Sequence, residues 1–150
     1  MRFRFRKLSF AWPLALLIFA CLFPDKAALA ATPTGDGILQ IPLNGAAAFA
    51  VASANAGAAA PITVSIDTGS ATLPLSATLC QSNPGTGQCL APPSTSVALD
   101  YAAGATPTFS VFLQSTGAIP FAPAASRAFI RFTDASGGLH GSTSVAVETQ

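Results

Sequence analysis

Along several stretches from residue 62 onward, apolar side chains fall on every second position. Ile62, Val64 and Ile66 alternate with Thr63, Ser65 and Asp67, the pattern of a strand with one buried face. Leu73, Leu75, Ala77 and Leu79 alternate in the same way with Thr72, Pro74, Ser76 and Thr78. Pro74 cannot donate to a ladder, which places it at an edge or at the start of that strand. Further on, Val97, Leu99 and Tyr101 alternate with Ser96, Ala98 and Asp100. Phe109, Val111 and Leu113 do so with Thr108, Ser110 and Phe112, and Ala128, Ile130 and Phe132 with Phe129, Arg131 and Thr133. Two runs precede these. Residues 38–43 are stopped by Asn44-Gly45, and Phe49 and Val51 mark a weaker run whose alanine-rich context also admits a helix. Val145 and Val147 close the chain. The breaks carry Gly, Pro, Asn or Asp, and no segment sustains a 3.6-residue stripe of helix length. About eight short strands in succession, with no helices between them, predict an all-β, antiparallel sandwich.

The N-terminal segment follows a different logic. Met1-Arg2-Phe3-Arg4-Phe5-Arg6-Lys7 is basic, and residues 10–23 are apolar except for Pro13. That run is shorter than the roughly 20 residues a spanning helix needs. Pro24-Asp25-Lys26 restores polarity, and Ala28-Leu29-Ala30 supplies the small-x-small pattern that signal peptidases read. The expectation is a cleavable signal-peptide helix over residues 1–30, cut between Ala30 and Ala31. A flexible lead-in over 31–37 and one sandwich domain over 38–150 would follow. A lipoprotein signal ending at Cys21 is the alternative, but it wants a small residue where Phe19 stands.

Without the signal the charge balance changes sign. The remaining chain keeps Arg127 and Arg131 and no Lys, against Asp36, Asp67, Asp100, Asp134 and Glu148, a formal net charge of −3. Two arginines cannot neutralise many phosphates, which argues against a nucleic-acid partner. Anionic membrane surfaces are disfavoured for the same reason, and no membrane insertion is expected after cleavage. Cys80 and Cys89 also remain, an even pair in a compartment that permits disulfides. They bracket Asn83-Pro84-Gly85, strong turn chemistry in which Pro sets one φ and Gly accepts a positive one. A structural bridge is expected there rather than a redox pair, because the spacing is not Cys-x-x-Cys.

Residues 79–93, with Asn83-Pro84-Gly85-Thr86-Gly87 between the cysteines, together with residues 105–109, 129–134 and 141–147, resemble bacterial surface and exported proteins built from immunoglobulin-like β-sandwich modules. A Cys-flanked Asn-Pro-x-Thr-Gly hairpin recurs in those modules. With residues 49–75 the resemblance covers most of the chain after the signal. It implies an immunoglobulin-like sandwich of seven to eight strands and a non-catalytic role in the periplasm or at the cell surface, with an unidentified protein or surface partner. The chain departs from the pattern in carrying one unit. It also departs from antibody-type domains in lacking a core Trp, and its cysteines are too close in sequence for an inter-sheet bridge.

Catalysis has one candidate. Residues 64–70, with Asp67-Thr68-Gly69 after a strand, resemble the active-site turn of pepsin-like and retroviral-type aspartic proteases. That chemistry needs two carboxylates sharing a proton, so a single motif would require a homodimer. The charged Arg131 stands where those proteases carry a hydrophobic-hydrophobic-Gly segment. The plainer reading is a turn in which Asp67 bonds its own backbone. His140, with Ser142 and Asp134, permits a Ser-His-Asp site on paper, but no Gly-x-Ser-x-Gly elbow accompanies it. His140 is expected in a solvated hairpin loop between the last two strands. Widely spaced carboxylates and bridged cysteines predict no metal site and no cofactor. Phe112 and Phe129 fall on nominally polar faces of their strands, and Phe121 falls in a Pro-flanked loop; together they are the candidate partner patch. The expected function is an exported, non-catalytic binding or structural module. One alternative is a homodimeric protease using Asp67. The other is a chaperoned or donor-strand surface assembly subunit whose alanine-rich N-terminal strand is exchanged between copies.

Overall fold

The computed structural model describes residues 29–33 and 37–150. The expected signal helix, up to residue 28, and residues 34–36 of the lead-in lie outside the described residues. Among the described residues there are nine strands: β1 (Leu29–Pro33), β2 (Ile38–Ile41), β3 (Ala46–Asn55), β4 (Ala60–Asp67), β5 (Leu75–Ser82), β6 (Ser96–Tyr101), β7 (Thr108–Ser115), β8 (Arg127–Thr133) and β9 (Leu139–Thr149). They form two sheets, ordered β1-β3-β7-β5 and β2-β9-β8-β4-β6. The described residues therefore form the expected all-β sandwich. Its pairings are antiparallel except that of β2 with β9, which is parallel.

The two-residue alternation fills the space between the sheets. Phe49 and Val51 of β3, Leu79 of β5, and Phe109, Val111 and Leu113 of β7 face Ile62 and Val64 of β4, Ile130 and Phe132 of β8, and Val145 and Val147 of β9. Phe132 bridges the layers. Its ring meets Phe109 edge-on, with centroids 6.0 Å apart, and Tyr101 likewise at 6.2 Å, an arrangement favoured by the ring quadrupoles.

One alternative closes and two expectations change in detail. The alanine-rich run is strand, not helix: Phe49, Val51, Ser53 and Asn55 turn inward while the alanines at 46, 48, 50 and 52 are exposed. Pairing with β7 on one side and β1 on the other decides the conformation that local propensity left open. Ala31–Pro33, expected in a flexible lead-in, belong to β1. The expected cleavage bond also falls inside that strand, with Ala30 opposite Ala54 and Ala31 opposite Ser53. The edge of β3 supplies a ladder that the lead-in's own sequence does not advertise. Finally, β5 starts at Leu75, one residue after Pro74, as the missing N–H requires.

The β2–β3 connection is a tight turn. Asn44 has φ 57°, and Gly45 donates its N–H to Pro42 O at 2.7 Å. A Cβ on Gly45 would lie 2.7 Å from the Cβ of Pro42, so a side chain is excluded there.

Cys80 and Cys89 are disulfide-bonded, with Cα atoms 5.5 Å apart. The turn between them is organised by Asn83, whose Oδ1 accepts from the N–H groups of Gly85 (2.9 Å) and Thr86 (3.2 Å). The returning segment bridges β5 at Ser82 with Cys89 and at Leu79 with Ser94, so it covers the outer edge of β5. The double change Cys80→Ser with Cys89→Ser is expected to lower stability by about 2–3 kcal/mol, the value for closing a loop of this size. Urea unfolding of the two proteins measures it. No change in midpoint would mean that the hairpin holds without its bridge.

A polar cluster at one end of the sandwich has no counterpart in the sequence expectations. Asn55 and Ser53 of β3 are buried. The Asn55 side-chain amide donates to the carbonyls of Ala58 (2.9 Å), Ala102 (3.2 Å) and Tyr101 (3.3 Å), and its Oδ1 accepts from Gly57 N–H at 3.0 Å. Ser53 Oγ donates to Pro107 O at 2.7 Å and bonds the Tyr101 hydroxyl. Burial pushes the Tyr101 phenol above its ordinary pKa, against the lowering effect of the Ser53 hydrogen bond. The cluster ties the β3–β4 turn to the β6–β7 connection, where the chain passes from one sheet to the other.

Candidate functional site

Asp67 is the last residue of β4, on the outer face of its sheet, directly opposite Phe129 of β8. Its Oδ1 accepts the Gly69 N–H at 2.7 Å, closing a side-chain-to-backbone turn. Thr68 Oγ1 donates to Ala71 O at 2.6 Å and holds the far side. Gly69 has φ +64°, and a Cβ there would lie 3.0 Å from the Phe129 ring. The turn is thus pressed onto an aromatic surface, and only glycine fits the contact without strain.

Arg131 stands two residues along β8 on the same face as Phe129. Its Nε donates to Asp67 Oδ2 at 2.6 Å and its Nη2 to Oδ1 at 3.3 Å. The guanidinium carbon sits 5.0 Å from the Phe129 ring centroid, within cation–π range. Burial raises the carboxyl pKa of Asp67, but the Arg131 hydrogen bond, the Gly69 amide and the Arg131 charge together outweigh it. Asp67 is held below its ordinary 3.8, and the bond to Asp67 raises Arg131. The hydrogen bonds described at this carboxylate come from a cation and an amide. Such surroundings keep it ionised, whereas a proton-sharing dyad needs a second carboxylate against it.

Arg131 was legible only as a charge out of place for a protease. Its partnership depends on β4 and β8 being neighbours, a pairing between segments 64 residues apart. The available signal was that Asp67, Phe129 and Arg131 all occupy outward positions of alternating strands.

His140 is not in a loop. It lies on β9, its side chain 9% exposed, with Nε2 2.8 Å from Asp134 Oδ2. Asp134 Oδ1 also accepts from the Ser136 N–H (2.8 Å), the Ser136 hydroxyl (2.6 Å) and the Gly138 N–H (2.8 Å). The Ser136 bond, followed by His140 and Gly138, drives its pKa far below the ordinary value. The β8–β9 hairpin is therefore built around this carboxylate, and the irregular register at Phe132/Thr133 brings the imidazole to it. Ser142, the third member of the paper triad, lies opposite Arg131.

Both aspartates bear on acid stability. A carboxylate whose pKa is depressed by folding stabilises the folded state above its unfolded value near 3.8, and that contribution is lost as pH falls through the folded pKa. The urea midpoint is therefore expected to fall progressively below about pH 4. A midpoint unchanged between about pH 5 and about pH 2 would contradict both pairings.

The three phenylalanines do not form one patch. Phe112 is exposed on the outer face of the β1-β3-β7-β5 sheet, and Phe129 lies on the outer face of the other, partly covered by Arg131 and Gly69. Phe121 is 59% exposed on the β7–β8 connection, beside a shallow depression lined by Ile38, Gln40 and Glu148. That connection is anchored by buried Ile119, whose N–H donates to Thr149 Oγ1 at 2.8 Å. Among the described residues no three His, Cys, Asp or Glu side chains converge as metal ligands.

No family model matches the chain, and no curated protein matches it. Among solved structures it is similar to β-glucosidase from Listeria innocua. The identity is 10% over 83% of this chain and 16% of that one, with a TM-score of 0.38. The glucose complex of that enzyme gives 12% identity over 81% of this chain and 16% of that one, with a TM-score of 0.35. The chain spans about one sixth of the length of these matched structures. Likeness of that extent identifies neither a shared site nor a shared activity.

Proposed function

We propose that this chain is an exported, non-catalytic binding or structural module of the bacterial periplasm or cell surface, with an immunoglobulin-like sandwich as its working part. The observation that carries the reading is the engagement of Asp67. The one carboxylate set in a protease-like turn is bonded to Arg131 and to its own turn amide. Both interactions favour a permanent anion that organises a turn. The basic, short apolar and small-x-small order of residues 1–30 supports export.

The test is Asp67→Asn. Asn makes the same side-chain-to-backbone bond, and the Arg131 pair is partly exposed, so the expected loss of stability is on the order of 1 kcal/mol. The wild-type protein, assayed on a broad peptide library from about pH 3 to about pH 7, where a carboxylate dyad would work, is expected to cleave nothing. Cleavage that a statine-type inhibitor blocks and that Asp67→Asn abolishes would replace this reading with the homodimeric protease.

One observation favours the strand-exchange reading as the second choice. Cleavage between Ala30 and Ala31 would leave only Ala31–Pro33 of β1 against a ten-residue β3. A further strand could then be added along the edge of β3.

A further inference from the structure

The charged side chains of the described residues all belong to one layer. Asp67, Asp100, Arg127, Arg131 and Glu148 sit on β4, β6, β8 and β9, and Asp134 sits in the turn between β8 and β9. The strands β1, β3, β7 and β5 carry no Asp, Glu, Lys or Arg. The outer face of that sheet exposes Ala48 and Ala52 on β3, Phe112 and Gln114 on β7, and Ser76 on β5. Across the register, Ala48 and Thr78 lie on either side of Phe112. A bulky ring therefore stands next to a low row of alanines on an uncharged surface.

We propose that this face is a self-association surface, and that its occupant is the same face of a second copy of this chain. A two-fold axis parallel to the strands, lying midway between the two facing sheets above the gap between β3 and β7, would seat each Phe112 on the alanine row of the other copy, and neighbouring strands lie about 4.8 Å apart, so ring and row are matched in spacing. The charge distribution selects a like face over a charged partner. An uncharged surface offers no potential to recognise charge. Face-to-face pairing keeps the two charged layers, each with more carboxylates than arginines, on opposite outer sides of the dimer. Three strands of about eight residues span roughly 400 Å² per copy. The total lies below the standard interface size and fits a weak, concentration-dependent dimer rather than a permanent one. The contact does not depend on export, and it differs from strand exchange because it uses the face of β3 and not its edge.

Sedimentation equilibrium on the exported protein, its N-terminus sequenced, tests this from about 10 µM to about 1 mM, the range of weak interfaces. The expected result is a monomer that becomes a dimer with a midpoint on the order of 100 µM. Its affinity should change less than about twofold between low and high salt, because no ion pair is screened. Phe112→Asp and Ala48→Arg, both at exposed positions, are each expected to shift the midpoint beyond the accessible range. Phe121→Asp, on the other side of the molecule, should leave it unchanged. Thermal unfolding of each variant verifies that the fold is kept. A monomer throughout, a dimer that Phe112→Asp and Ala48→Arg leave intact, or a dimer that salt dissolves would each overturn the proposal. The N-terminal sequence separately reports on the export reading.

Discussion

Phe132→Ala is expected to destabilise the protein by about 3–5 kcal/mol, the cost of emptying a fully buried aromatic site. The ring has no solvent exposure and contacts Tyr101 and Phe109 edge-on, so one substitution removes aromatic contacts within and across the layers. The surrounding strands are fixed by ladders on both sides of β8 and cannot collapse far into the space. A domain of this size has only about 5–15 kcal/mol of total stability, so the variant should approach the limit of folding. Urea denaturation measures the effect, with Phe129→Ala as the comparison. Phe129 is the outward neighbour on the same strand, partly exposed, and its truncation is expected to cost about 1 kcal/mol through the lost Arg131 contact and partial burial. Equal losses at the two positions would mean that the inward and outward faces of β8 have been misassigned.

Asn55→Ala is expected to cost about 3 kcal/mol, since each buried polar group left without a partner costs about 1–3 kcal/mol. The amide group serves three carbonyls and one N–H, and Asn55 is 1% exposed, so water cannot readily replace it. The backbone of Asn55 is also engaged, accepting from Gly104 N–H and donating to Ala105 O, both at or below 2.9 Å. The loss should therefore come with loosening of residues 101–107, visible as faster amide exchange at Gly104 and Ala105. Asn55→Asp keeps the acceptor for Gly57 but not the amide donors, and should recover little. Full stability in Asn55→Ala would show that the carbonyls of Ala58, Tyr101 and Ala102 find other donors.

The strands were legible because their period is a local property. Ile62-Val64-Ile66 and Ala128-Ile130-Phe132 announce both conformation and buried face without reference to any partner. The Cys80–Cys89 hairpin was legible for a related reason: Asn83-Pro84-Gly85 fixes a turn that brings the two thiols together. Neighbour relations between distant strands were not legible. Arg131 could be read as a charge on an outward position, but not as the partner of Asp67, because nothing local places β8 beside β4. The place of His140 on β9 is hidden for the same reason at shorter range. A Gly-rich hairpin reads as solvated until Asp134 is seen gathering its amides. Asn55-Ala56-Gly57 is turn chemistry after the run of Phe49 and Val51, and Asn55 does end β3; its burial depends on the β6–β7 connection folding over it. β1, Leu29-Ala30-Ala31-Thr32-Pro33, has no two-residue alternation, and its conformation is imposed by the edge it meets.

The parallel pairing of β2 with β9 has a kinetic consequence. Gln40 bonds Glu148 across a sequence separation of 108, Ala146 donates to Gly37 O, and Gln150 donates to Ile41 O. The first strand of that sheet cannot find its place until β9 is available to pair with it. Sheets closed by such distant segments fold slowly, in roughly milliseconds to seconds, because the loop must be closed before the contact repays it. Any interaction that keeps β9 extended and unpaired would hold the whole β2–β9 seam open. Closure of the β2–β9 seam is therefore expected to be a late step of folding, following the shorter-range pairings of β8 with β9 and of β3 with β7.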